Sequence, residues 1–68
     1  MQQQPTVRGT VTEVLPNTLF RVQLETGEII IAYLGGKLRL NRIRIITGDQ
    51  VSLVLSPDGL KGRIIYRN

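Results

Sequence analysis

From Val7 onward the apolar residues recur at every second position, and clusters of turn-forming residues cut that alternation into short segments. Val7, Gly9 and Val11 alternate with Arg8, Thr10 and Thr12, and Phe20, Val22 and Leu24 with Arg21, Gln23 and Glu25. Val51, Leu53 and Leu55 repeat the pattern with Gln50, Ser52 and Val54. A period of two marks a half-buried strand, because successive side chains point to opposite faces of a sheet. Leu15-Pro16-Asn17-Thr18, Thr26-Gly27, Thr47-Gly48-Asp49 and Ser56-Pro57-Asp58-Gly59 separate the segments. Proline presets φ in such turns, while asparagine and glycine accept a left-handed backbone. The short connection through Gly27 into the β-branched run Ile29-Ile30-Ile31 predicts a hairpin. A last strand over 62–67 puts Ile64 and Tyr66 on one side and Arg63, Ile65 and Arg67 on the other. Five short strands, no long helix and one longer connection between the third and fourth predict an all-β fold, a small closed barrel. Closure also removes the sheet edges that invite aggregation. The expected organisation is a flexible tail over 1–5 and a single domain over 6–68.

A chain of 68 residues buries only about 60% of its unfolded surface, and this one has neither cysteine nor histidine with which to staple itself. The absence of cysteine fits a reducing compartment. It also removes thiolate nucleophiles, the usual general bases and transition-metal ligands. Glu13, Glu25, Glu28, Asp49 and Asp58 stand singly near strand ends and turns, and Ser52 and Ser56 have no base near them in sequence. Gly35-Gly36-Lys37 is reminiscent of a phosphate loop, yet Leu38 stands where a serine or threonine is required and Ile30 where the earlier glycine belongs. No enzyme activity, metal or cofactor is expected. Met1-Gln2-Gln3-Gln4-Pro5 has no basic start and no apolar run behind it, and the longest apolar run, 29–34, is far short of the roughly 20 residues of a membrane span. A soluble, intracellular protein with no membrane partner is expected.

Charge carries the functional signal. Nine Lys and Arg stand against five Asp and Glu, and they are not spread evenly. Residues 29–48 contain Lys37, Arg39, Arg42 and Arg44 with no acid, and 59–68 contain Lys61, Arg63 and Arg67, again with none. Two acid-free basic blocks are the footprint of a polyanion partner more than of a merely solvated surface. The first block, GGKLRLNRIRI over 35–45, threads its cations between Leu38, Leu40, Ile43 and Ile45. Those apolar residues do not form a single helical stripe, which predicts one or two helical turns over about 36–41 followed by extended chain. Leu38 or Leu40 then anchors the segment to the barrel while the cations face out. Seven of the nine cations are arginine, which suits bidentate phosphate contacts and stacking over bases. With only Phe20, Tyr33 and Tyr66 as aromatics, a structured RNA read by shape and phosphate fits better than a nonspecific single strand. Phe20 shares its strand face with Val22 and Leu24 and reads as core; Tyr66 is either core beside Ile64 or a surface ring; Tyr33 is the best stacking candidate.

LPNTLFRVQLETGEIIIAYLGGK, NRIRIITGD and KGRIIYR resemble the bacterial-type translation initiation factor one family, from about Gly9 to Arg67. The resemblance implies a five-stranded oligonucleotide-binding (OB) barrel, S1-like, with a short helix between strands three and four. It implies a factor that binds the small ribosomal subunit at the aminoacyl-tRNA site through ribosomal RNA contacts, helps displace two decoding adenines, and acts with initiation factors two and three. Small-subunit ribosomal RNA, small-subunit proteins and those two factors are the expected partners of a protein that is a monomer off the ribosome. The cytoplasm is the expected location, or the plastid stroma if the chain is plastid-encoded. Carried over by position, Lys37, Arg39 and Arg44 match basic residues of the RNA-contacting loop, Arg63 and Arg67 match positions on the last strand, and Arg21 matches one on the second. Asn41, Arg42, Lys61 and Tyr33 complete the expected RNA-binding set. The chain departs from its relatives at Leu40, where lysine is frequent, at Arg42, where tyrosine is common, and at Tyr33, where some carry histidine. The alternatives are a basic barrel with a generic RNA-binding role and a module that docks onto a protein through another face.

Overall fold

The computed structural model describes residues 6–40 and 43–68, so the tail expected over 1–5 lies outside the described residues, as do Asn41 and Arg42. Five strands, β1 (Thr6–Leu15), β2 (Leu19–Leu24), β3 (Ile29–Leu34), β4 (Gln50–Leu55) and β5 (Lys61–Arg67), join one helix, α1 (Gly36–Leu40), between β3 and β4. The strands close into a barrel in the order β1-β2-β3-β5-β4. Every pairing is antiparallel except β3 with β5, which is parallel and is bridged by the α1 segment and β4. β1 makes the closure possible through its length. Thr6 to Thr10 pair with β4, while Gly9 to Leu15 pair with β2. The register along β1 shifts between Val11 and Glu13, a bulge that bends the strand from one partner to the other.

The turns do what their residues allow. Asn17 and Thr18 adopt φ of 64° and 57°, the left-handed region that asparagine tolerates and a β-branched threonine does not favour. Gly27, at φ 97°, carries the β2–β3 hairpin, and its N–H donates to the Leu24 carbonyl at 2.8 Å. In the β4–β5 turn the Ser56 hydroxyl and the Leu60 N–H both donate to the Asp58 carboxylate. Those two bonds hold the Asp58 carboxyl below its usual range, the Ser56 bond contributing most. Ser56 Oγ also accepts the Lys61 N–H at 3.2 Å, which fixes where β5 begins.

Inside the barrel, Val22, Ala32, Val51, Leu53 and Ile64 are fully buried and Phe20 is 5% exposed, as its alternation predicts. Leu38 from α1 and Ile45 from the following extended chain complete this core, with Ile43 packed partly against it. Of the two candidate anchors it is therefore Leu38, 9% exposed, that plugs the barrel, while Leu40 is 84% exposed. Two residues apart on one turn of helix, they face in different directions. Leu38→Ser is expected to lower stability by about 2–5 kcal/mol through lost burial. Leu40→Ser should change it by less than about 0.5 kcal/mol. Urea denaturation of the two single variants separates them, and equal midpoints would show that Leu38 is not the anchor.

The face assigned to Tyr66 differs from the sequence expectation. Ile64 is buried as expected, but Tyr66 is 62% exposed. The cause is a second bulge: Ile64 pairs with Leu53 and Tyr66 with the outward-facing Ser52, so one extra residue, Ile65, reverses the alternation.

Candidate nucleic-acid interface

The site begins where β3 gives way to α1. Gly35 N–H donates to the Ile64 carbonyl of β5 at 2.8 Å, and a Cβ at Gly35 would lie 2.9 Å from that same oxygen. Only glycine permits so close an approach, and the approach seats α1 against β5. The helix is one turn long: Gly35 O accepts the Arg39 N–H at 3.1 Å, and Leu38 O accepts the Ile43 N–H at 3.0 Å as the chain leaves it. Between the start of α1 and β5 lies an open cleft of about 540 Å³ lined by Gly35, Gly36, Lys37, Leu38, Arg63 and Ile65. Lys37 comes from the first basic block and Arg63 from the second. The two blocks meet across this cleft through residues 26 positions apart in the chain.

Arg63 also opens onto a second, smaller hollow of about 180 Å³, shared with Tyr33, Val54, Leu55, Ser56 and Pro57. Tyr33 is 43% exposed and pairs directly with Arg63 across the parallel β3–β5 ladder. Two residues back along that ladder, on the same face, Ile31 stands between Arg21 on β2 and Lys61 on β5, so these two cations flank it at roughly 5 Å strand spacing on each side. Tyr33, Arg63, Arg21 and Lys61 thus share one outer surface of β2, β3 and β5. Glu13 faces Arg21 from β1 and is the acid at the border of this surface.

Arg39 on α1 and Arg44 beyond it are exposed. Extended chain over 43–46 turns Ile45 into the core and leaves Arg44 and Ile46 outside, the alternation seen in the sequence. Arg67 stands apart from the cleft. Its Nε approaches Asp49 Oδ2 at 3.3 Å, the one ion pair among the described residues, and the same carboxylate oxygen accepts the Ile46 N–H at 2.9 Å. Asp49 therefore ties the end of the basic segment to the end of β5. Sequence reasoning did not assign Asp49 this part; its signal was an acid placed just after a Thr-Gly turn and beside a basic block. Asn41 and Arg42 of the expected set lie outside the described residues. Among the described residues no cluster of metal-ligating side chains occurs, and no helix is long and apolar enough to cross a membrane.

The chain folds as a small closed five-stranded barrel with a short helix between β3 and β4, and the translation initiation factor 1A / IF-1 family model matches its residues 1–68. The chain belongs to this family. The solution structure of translation initiation factor one from the Wolbachia endosymbiont strain TRS of Brugia malayi is similar at 41% identity and a TM-score of 0.79, over 98% of this chain and 80% of that one. The crystal structure of YjeQ from Thermotoga maritima is similar at 32% identity and a TM-score of 0.78, over 94% of this chain but 23% of that one. The second likeness is thus to one part of a larger protein. Membership gives the chain a role in translation initiation, as a non-enzymatic factor of protein synthesis with the OB barrel of its family.

Proposed function

We propose that the chain binds the small ribosomal subunit at the aminoacyl-tRNA site, through contacts of its basic cleft with ribosomal RNA, and assists initiation together with initiation factors two and three. The observation that carries this reading is the meeting of the two acid-free blocks where α1 packs on β5, with Lys37 and Arg63 across one cleft. Cations carried on a paired strand and a one-turn helix have their backbone spacing set before the partner arrives, so little backbone freedom is lost on binding. In this reading Lys37, Arg39, Arg44, Lys61 and Arg63 contact phosphates. Arg21 extends the same surface, and Tyr33 offers a ring beside Arg63. Asn41 and Arg42 belong to the contact by their place in the basic segment, and Arg67 contributes from its position on Asp49. Small-subunit proteins bordering the site are further partners, and the cytoplasm, or a plastid stroma, is the compartment that follows.

Binding to purified small subunits, followed by chemical footprinting of their RNA with and without the protein, tests this directly. Protection confined to the decoding region, and lost when a tRNA already fills the aminoacyl-tRNA site, is the expected result. Protection elsewhere, or binding indifferent to both tRNA and salt, would favour docking onto a protein through another face.

A further inference from the structure

We propose that Tyr66 is a stacking platform for one unpaired RNA base, held in the cleft that the ring shares with Leu38, Ile43, Arg67 and Asn68. This rests on the RNA-binding reading above and extends it, because it assigns a base rather than a phosphate to a named side chain. The bulge at Ile65 is the starting point. By adding one residue opposite the Ser52–Leu53 step, it carries Tyr66 from the core face to the outer face, where the ring is 62% exposed. A ring placed outward by an irregularity of the strand has given up burial that the regular alternation would have provided.

The surroundings fit one chemistry. The cleft measures about 350 Å³, enough for a single heterocycle, and its floor is apolar, from buried Leu38 and half-buried Ile43. Its polar members are Arg67 and Asn68. Asp49 holds Arg67 through Nε at 3.3 Å, which orients the guanidinium while its two terminal nitrogens keep four N–H donors. The Asn68 N–H donates to the Gln50 carbonyl at 2.9 Å, so the end of β5 is tied down and its side-chain amide stands beside a fixed backbone. An aromatic face, an oriented guanidinium and an amide match the π-face, the phosphate and the hydrogen-bonding edge of a nucleotide. An aliphatic side chain from a protein would use the floor and leave both polar groups without partners.

The test uses a short RNA hairpin carrying one bulged 2-aminopurine, together with purified small subunits, and the full-length protein as wild type, Tyr66→Phe and Tyr66→Ala. Wild type should quench the fluorescent base, and Tyr66→Phe should bind within about twofold of it. Tyr66→Ala should weaken binding to both partners by about 5- to 150-fold, the range given by one base stacked on an aromatic ring. Its slope of log affinity against log salt should stay unchanged, because every phosphate-binding cation is still in place. Unaltered melting of Tyr66→Ala confirms that the fold is intact. Absence of quenching by wild type, or wild-type affinity in Tyr66→Ala, overturns the proposal. Loss of small-subunit binding without loss of RNA binding overturns it too, and gives the cleft to a protein side chain. Failure of the broader reading looks different: it is salt-independent binding by the wild type, whatever Tyr66 does.

Discussion

Phe20→Ala is expected to leave the protein largely unfolded. Phe20 sits on the inner face of β2, with Val14 and Ala32 as its cross-strand partners, and its ring is 5% exposed. Removing a buried phenylalanine costs about 3–5 kcal/mol, from the lost transfer of the ring and the cavity left behind. At 0.05–0.15 kcal/mol per residue, a domain of this size has only about 3–10 kcal/mol to lose. Small Ala32 opposite the ring has no flexible side chain that could move into the space. Urea denaturation followed by circular dichroism measures the loss. A variant that melts with wild type yet no longer binds RNA would move Phe20 from the core to the binding surface.

The second large effect is electrostatic. Arg39→Glu combined with Arg63→Glu reverses one charge in each basic block, on residues that are exposed and free of ion pairs among the described residues. Each charge-assisted hydrogen bond is worth about 1.5–3 kcal/mol, so the pair should weaken binding to small subunits by about 10²- to 10⁴-fold. The slope of log affinity against log salt should shrink by roughly 0.7–0.9 for each phosphate that the double variant no longer neutralises. Thermal stability should hold, since exposed substitutions usually change it by less than about 0.5 kcal/mol each. Wild-type affinity in the double variant would remove the cleft between α1 and β5 from the binding surface. A fall in melting temperature equal to that of Phe20→Ala would mean that the two arginines act on the fold instead.

Much of this was legible in the sequence because its signals are local. Alternation at Phe20, Val22 and Leu24 depends only on the pleat, and the turns depend on a few residues each, so five strands and their order along the chain could be read directly. The bulges could not. Nothing in Gly62-Arg63-Ile64-Ile65-Tyr66 announces that Ile65 is an extra residue, because a bulge is defined by the partner strand. The side on which Tyr66 lies was lost with it. Leu38 and Leu40 are equivalent in a pattern that alternates leucine with cations, and only the seat of α1 on β5 distinguishes them. The basic blocks were visible as composition, but their meeting was not. It depends on the parallel pairing of β3 with β5 and on the carbonyl of Ile64 lying where Gly35 must pass.

That parallel pairing also sets when the cleft can exist during folding. The β1–β2 and β2–β3 pairings close over short turns, whereas Ile31 must find Lys61 thirty positions away, and Thr6 must find Val54 across most of the chain. Contacts of such separation need long loops to close and form late. A three-stranded meander of β1, β2 and β3 would carry Arg21 and Tyr33 but would have no β5 against which to set α1. The proposed binding surface would therefore be a property of the closed barrel alone, and an RNA that selects it would select the folded chain. By mass action a bound ribosome then stabilises the barrel in proportion to the logarithm of its excess over the dissociation constant. A factor this small would be marginal when free and hard to unfold while engaged, and its lifetime in the cell would follow the supply of small subunits awaiting initiation.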